Sequence, residues 1–319
     1  MNKIKKTDHF YLIDGSGYIF RAYYALPPLS RKSDGLPTGA VNGFCNMLFK
    51  LLEDSKSKDN KQKPTHFAVI FDSARKNFRN EIYPEYKGNR SDAPDDLIPQ
   101  FDYIRKSVNA FNLPSIELLN YEADDLIATY SEQILKEGAK VTIVSSDKDF
   151  YQLLNNKTLI YSPTWKKIVS DSEVKEKFSV SANNFCLAKS VCGDPSDNID
   201  GVPRVGFKTF AKRFPILKTD EEITIDEIVS IAKNSINEGS KLQAYKNISE
   251  SEDLIRRNWK LTYLDTCNLS ATQIHKINET LDTFEPERNK IAVMRILLRE
   301  GIQTFNVDRM FLSLNHVGI

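Results

Sequence analysis

Nine carboxylates stand in five short clusters along the chain: Asp14; Asp72; Glu122, Asp124 and Asp125; Asp147 and Asp149; and Asp194 and Asp197. No histidine or cysteine stands among them. Hard oxygen donors of this kind suit Mg²⁺ or Mn²⁺ and do not suit zinc. If the clusters converge, roughly two divalent ions are needed to make such a cavity tolerable, because isolated buried carboxylates are costly. Two ions about 4 Å apart can activate a water and stabilise the leaving oxygen of a phosphodiester. Each acid has a plainer reading. Asp is common in turns and at helix starts, and Glu122, Asp124 and Asp125 could complement a helix dipole. One acid would suffice for that purpose, and three in four residues repel one another unless cations intervene.

The elements that must position these acids follow from hydrophobic pattern. Residues 10–13, 66–71, 141–144 and 158–161 are short apolar runs bounded by polar residues, which predicts buried parallel strands. Three of the four end in, or lead directly to, an acid: Asp14, Asp72 and Asp147. Between the runs lie helical patterns, one opened by Thr38, one by Pro99, and one over 122–136. Strands alternating with helices predict an α/β fold with a mostly parallel central sheet flanked by helices. In such sheets ligands bind beyond the carboxyl ends of the strands, which is where the acids fall. The expected division is an α/β core over 1–185, followed by a mainly helical region over 186–319. The segment 55–64 reads as a solvated loop.

Net charge is only +1, from 44 Lys and Arg against 43 Asp and Glu, but the positive charge is concentrated. Residues 75–90 carry Arg75, Lys76, Arg79, Lys87 and Arg90 against Glu81 and Glu85, interleaved with Tyr83 and Tyr86. Aromatic and basic residues mixed in this way suit an unpaired nucleic-acid strand, and a solvated basic loop is the plainer alternative. Residues 201–213 carry Arg204, Lys208, Lys212 and Arg213 with no acid. Gly201 and Gly206 allow a tight turn there, whose amides can cradle a phosphate. Tyr18, Phe20, Arg21 and Tyr23 follow Asp14 and suit core packing as well as support of a nucleotide. The four cysteines, Cys45, Cys186, Cys192 and Cys267, show no metal-ligand spacing and read as buried free thiols. No apolar run reaches the roughly 20 residues of a membrane helix, and a cytoplasmic location is the default expectation.

These clusters, in this order, resemble the 5′-nuclease (flap endonuclease-like) superfamily, including the 5′→3′ exonuclease domain of bacterial DNA polymerase I and the phage 5′-nucleases. The motifs that carry the likeness are Leu12-Ile-Asp-Gly-Ser16, Phe71-Asp72, Phe78 to Arg90, Tyr121-Glu-Ala-Asp-Asp125, Ser146-Asp-Lys-Asp149, Gly193-Asp-Pro-Ser-Asp-Asn198 and Gly201 to Lys208. The resemblance implies a PIN-like core with a helical arch over about 75–100 and a helix–three-turn–helix that grips duplex backbone. It implies one metal on Asp14, Asp72, Glu122 and Asp124 and a second on Asp149, Asp194 and Asp197, with Asp125 and Asp147 between the two groups. Lys87 and Arg90 would contact the scissile phosphate, and Arg79, Tyr86, Lys189, Arg204, Lys208 and Lys212 would contact DNA. Arg204 departs from the pattern, because many relatives carry glycine there. The implied cofactors are Mg²⁺, with Mn²⁺ able to substitute, and K⁺ at the helix–three-turn–helix. The implied substrates are DNA with 5′ flaps or ends and RNA–DNA hybrids, acted on by a monomer in primer or flap removal. Two rivals stand beside this reading: a PIN-like ribonuclease, and a non-catalytic structure-specific DNA-binding module. The first lacks the duplex grip of 201–213, and the second has no need of all nine acids.

Overall fold

The computed structural model describes residues 4–55, 63–73, 76–111, 113–264, 269–282, 290–299 and 306–314. Arg75, Cys267 and most of the 55–64 loop lie outside the described residues. In chain order the elements are β1 (His9–Asp14), α1 (Gly15–Ala25), α2 (Gly39–Asp54), β2 (His66–Ile70), α3 (Arg79–Ile82), α4 (Ile98–Ala110), β3 (Ser115–Ile116), α5 (Ala123–Lys136) and β4 (Lys140–Val144). They continue with β5 (Thr158–Ser162), β6 (Lys167–Val169), α6 (Asp171–Phe178), α7 (Phe185–Cys192), α8 (Phe207–Arg213), α9 (Ile225–Asn237), α10 (Gln243–Glu250) and α11 (Glu252–Thr262). The last three are α12 (Ala271–Asp282), α13 (Lys290–Arg299) and α14 (Val307–Leu314). The chain forms two compact units. One comprises Met1–Ala74, Asp92–Ser146 and Thr266–Ile319, and the other comprises Arg75–Ser91 and Asp147–Asp265. The division therefore interleaves along the sequence and does not follow a single cut at residue 185.

The first unit is built on four parallel strands in the order β3-β2-β1-β4. Every residue of β1 is buried, as expected of a central strand covered on both faces. Helix α5 packs on β1 and β4, α1 packs on α2, and α4 packs on α2 and β3. The strand order reverses direction at β1, so the crevice beside the carboxyl ends of β1 and β4 is the topological switch point of the sheet. The β1–β4 register pairs Ile13 with Val144, which brings Asp14 level with Ser145. Thr38 stands at the start of α2 as expected, but its side chain makes no capping bond. The side-chain Oε1 of Gln100, on α4, accepts from the Ala40 and Val41 amides instead, at 2.8 and 3.2 Å.

The second unit contains the antiparallel hairpin β5–β6 and a helical body. Sequence periodicity had predicted β5 alone; β6 is three residues long and too short to carry a pattern. Helix α7 packs on α8 and α11. The side-chain amide of Asn258, fully buried on α11, donates to the Ser190 and Asp200 carbonyls at 2.9 and 2.7 Å. It thereby pins the end of α7 and the loop beyond it to one helix. Gly193 ends α7 at φ 74°, and a Cβ there would lie 2.8 Å from the Gly201 Cα. A Cβ on Gly201 would in turn overlap the Cys192 carbonyl. These two backbones touch directly, and only glycine permits it. Of the segment read as an arch, the described residues hold one helical turn, α3, followed by turns up to Arg90.

Candidate metal centre and phosphate-contact residues

In the first unit, Asp14 closes β1 and caps α1. One of its carboxylate oxygens accepts the Gly17 amide at 2.7 Å and the other accepts the Ser145 hydroxyl at 2.8 Å. Asp72 lies two residues beyond β2; it accepts the Ala123 amide at 2.7 Å, and its own amide donates to the Ser16 hydroxyl at 2.9 Å. Asp14 and Asp72 are therefore aimed by neighbouring backbone and hydroxyls. Glu122 and Asp125 form a reciprocal capping box at the start of α5. Asp125 is wholly buried, accepts the Glu122 amide at 3.2 Å, and holds the helix start, whereas Asp124 is half-buried. Ser16 closes the Leu12–Ser16 motif and Ser145 immediately precedes the Ser146–Asp149 motif, yet nothing in the sequence marks either as orienting an acid. A lone hydroxyl carries no signal of what it orients.

In the second unit, Asp149, Asp194 and Asp197 each offer an oxygen within 4.8 Å of the others. Asp149 and Asp197 are buried and Asp194 is half-buried. Asp147 is exposed, and its carboxylate accepts the Asp149 amide at 2.9 Å, which orients that residue. The tight loop that carries Asp194 and Asp197 follows from the glycine contact above and from Asn198 in the left-handed region at φ 59°. Asp194 caps the 3-10 turn Pro195–Asp197 by accepting the Ser196 amide. All three acids offer carboxyl oxygens at hard-metal spacing, and this set fits a divalent ion.

Cations already meet these acids. Lys189, buried on α7, donates to Asp149 and, at 2.6 Å, to Asp194. Burial works against its charge, but Asp149 and Asp194 override that and raise its pKa. Burial likewise pushes the Asp149 carboxyl up, and Lys189 opposes the push. Burial would also raise Asp194, yet Lys189 and the Ser196 bonds hold it down at about 2. Arg90 is paired with Asp197, and the Lys87 ammonium lies 3.9 Å from the same carboxylate. The structure thus brings Lys87, Arg90, Asp149, Asp194 and Asp197 together within one unit.

Other expected DNA contacts are placed differently. Arg79 is 1% exposed; its Nε donates to the Leu261 carbonyl at 2.8 Å and its guanidinium stacks on Phe78. Tyr86 is buried against Ile199, Leu261 and Tyr83, and its hydroxyl donates to Asp197 at 3.2 Å. Lys189 is likewise buried among acids. These three side chains shape the unit and do not line its surface, a distinction that basic and aromatic composition cannot make. Arg204, Lys208 and Lys212 are exposed, as expected. Arg204 has φ 62°, the left-handed backbone that favours glycine. Near Asp14, Tyr18 is buried and Tyr23 donates to Asp96 at 2.7 Å.

A parallel α/β sheet with oriented acids at its switch point, and a second carboxylate cluster met by Lys and Arg, define a class of metal-using phosphodiester-handling proteins. The chain belongs to the 5′-3′ exonuclease family, whose N-terminal resolvase-like domain model matches residues 9–179. It is 33% identical over 307 residues to the 5′-3′ exonuclease of Aquifex aeolicus, covering 94% of this chain and 96% of that one. It is 51% identical over 210 residues to DNA polymerase I of Rhizobium leguminosarum, covering 66% of this chain but 21% of the polymerase. Its fold matches the T5 5′-exonuclease with zinc bound at a TM-score of 0.65, with 22% identity, covering 87% of this chain and all of that one. No helix among the described residues is long and apolar enough to cross a membrane.

Proposed function

We propose that this member of the family is a divalent-metal-dependent, structure-specific 5′-nuclease that hydrolyses DNA at 5′ flaps and ends. RNA–DNA hybrids are a further substrate and removal of primers or flaps is the setting. The observation that carries the reading is the second-unit cluster, where three carboxylates at metal spacing share their surroundings with Lys87 and Arg90. Divalent ions, Mg²⁺ with Mn²⁺ able to substitute, would supply charge stabilisation to the hydrolysis. Asp14, Asp72, Glu122 and Asp124 would hold one ion and Asp149, Asp194 and Asp197 the other, with Asp147 orienting Asp149 and Asp125 fixing the start of α5.

Lys87 and Arg90, which now face Asp197, would turn their donors to the scissile phosphate. The exposed Arg204, Lys208 and Lys212 would bind duplex phosphates without reading bases, with K⁺ held in the turn between α7 and α8. The protein acts as a monomer. The test is a 5′-labelled flap duplex incubated with Mg²⁺ or with EDTA. Cutting near the junction with Mg²⁺ alone, leaving a 5′-phosphate and a 3′-hydroxyl, is the expected result. Binding without cutting in both Mg²⁺ and Mn²⁺ would instead make the chain a binding module.

A further inference from the structure

The segment carrying Lys87 and Arg90 is tied to the loop carrying Asp194 and Asp197 by two asparagines that work in opposite directions. The Asn198 side-chain amide donates to the Glu85 carbonyl at 2.8 Å, and the Asn89 side-chain amide donates to the Pro195 carbonyl at 2.8 Å. Between them the Lys87 amide donates to the Asp197 carbonyl at 2.9 Å. Both Lys87 and Asn198 are in the left-handed region, at φ 55° and 59°. Conformations of this kind persist only where neighbours over-determine them. The Lys87 ammonium also lies 5.0 Å over the Tyr86 ring, which is itself bonded to Asp197. The stretch 85–90 has no helix or strand ladder of its own; its local support is the Asn80 side-chain amide of α3, which donates to the Tyr86 carbonyl at 3.2 Å, and single turn bonds such as Gly88 to Glu85 at 2.8 Å.

We propose that Asn89 and Asn198 are positioning residues: a reciprocal clasp that holds Lys87 and Arg90 in register with the Asp194–Asp197 loop. On the nuclease reading above, on which this inference rests, the clasp makes the phosphate-contacting cations and one carboxylate group a single preformed body. The side chains of Lys87 and Arg90 can then leave Asp197 for a phosphate without their backbone leaving the loop. A displacement of about 1 Å at such a site costs on the order of 100-fold in rate, so two side-chain hydrogen bonds that do not touch the phosphate matter.

The variants are Asn198→Gly, which keeps the left-handed backbone and removes only the donor, and Asn89→Ala, at an exposed position that folding tolerates. Hydrogen exchange of the amides of residues 86–90 is measured first, in EDTA, and needs no activity. Faster exchange there, with α5 and α7 unchanged, is expected for both variants; unchanged exchange overturns the clasp. Single-turnover cleavage of a 5′-flap duplex with Mg²⁺ follows, and the wild type must cut, which separates failure of the nuclease reading from failure of the clasp. Each variant is expected to lose about 10–100-fold in the cleavage step with flap affinity within about twofold. In a Lys87→Ala background, Asn198→Gly is expected to cost less than about threefold more, since a clasp acts through Lys87. A full additional loss, or a loss confined to affinity, would overturn the proposal.

Discussion

Lys189→Met removes the cation that two carboxylates share. The Lys189 side chain is 7% exposed, and its partners Asp149 and Asp194 are 12% and 17% exposed. Water therefore screens the pair weakly. Methionine fills much of the same volume, so the change deletes charge more than packing. Breaking a buried pair by removing one partner costs about 3–5 kcal/mol. In EDTA the variant should lose that much in urea unfolding at pH 7, seen as a lower midpoint with an unchanged slope. The sign of the pH dependence follows. Without Lys189, the folded-state Asp149 carboxyl is raised further above its unfolded value, so the native state holds a proton that the unfolded chain releases. Burial already holds the wild-type Asp149 carboxyl at about 7, so this group gives both proteins the same slope below about pH 7, and its share of the deficit should grow above that pH by up to about 1.4 kcal/mol per pH unit. A divalent ion binds only the folded acids, and at 100 times its Kd it returns about 2.7 kcal/mol. The variant should bind the ion more tightly than the wild type, because the ammonium no longer competes for Asp149 and Asp194. An EDTA deficit below about 1 kcal/mol, or an equal Mn²⁺ affinity in the two proteins, would refute the reasoning.

Three further outcomes follow from particular contacts. A Cβ on Gly17 would press on the Asp14 carboxylate, 2.9 Å from its Cγ; Gly17→Ala should leave the fold intact yet lower cleavage by about 10–100-fold by turning that carboxylate, and full activity would show that its orientation is unimportant. Arg204→Gly relieves a left-handed backbone worth about 1 kcal/mol and removes one proposed phosphate contact. Its melting temperature should not fall, and the slope of log affinity against log salt should drop by about one unit. An unchanged slope would remove Arg204 from the duplex contact. Burial pushes the thiols of Cys45 and Cys186 up to about 12, so neither should react quickly with a thiol reagent at pH 8 until the protein is unfolded. Rapid labelling of either in the folded protein would contradict the core as described.

The acids and the strands that carry them were legible because two independent patterns agreed. Apolar runs ended where carboxylates began, and the β1–β4 register then placed Ser145 against Asp14 as a consequence. The basic residues were less legible. Arg79, Tyr86 and Lys189 are of the same residue types as exposed basic and aromatic side chains, and only tertiary packing distinguishes a guanidinium on a carbonyl, a ring in a core or an ammonium among acids from a side chain in water. Asp125 could be read as ligand or cap from the same spacing; the capping box shows that it fixes the helix start. The domain division was hidden for a different reason. A compact unit assembled from 75–91 and 147–265 leaves no compositional seam at one point in the chain. The Asn89–Asn198 clasp joins residues more than a hundred positions apart, and neither asparagine announces a partner.

The central claim is that the protein's metal-dependent hydrolysis needs the acids of each unit. Its most direct test is single-turnover cleavage of a 5′-flap duplex in Mg²⁺ by Asp14→Asn and by Asp197→Asn, one from each group, with flap affinity measured alongside. The account predicts that each variant binds the flap and that each loses at least about 100–1,000-fold in the cleavage step. Near-normal cleavage by either variant would contradict it.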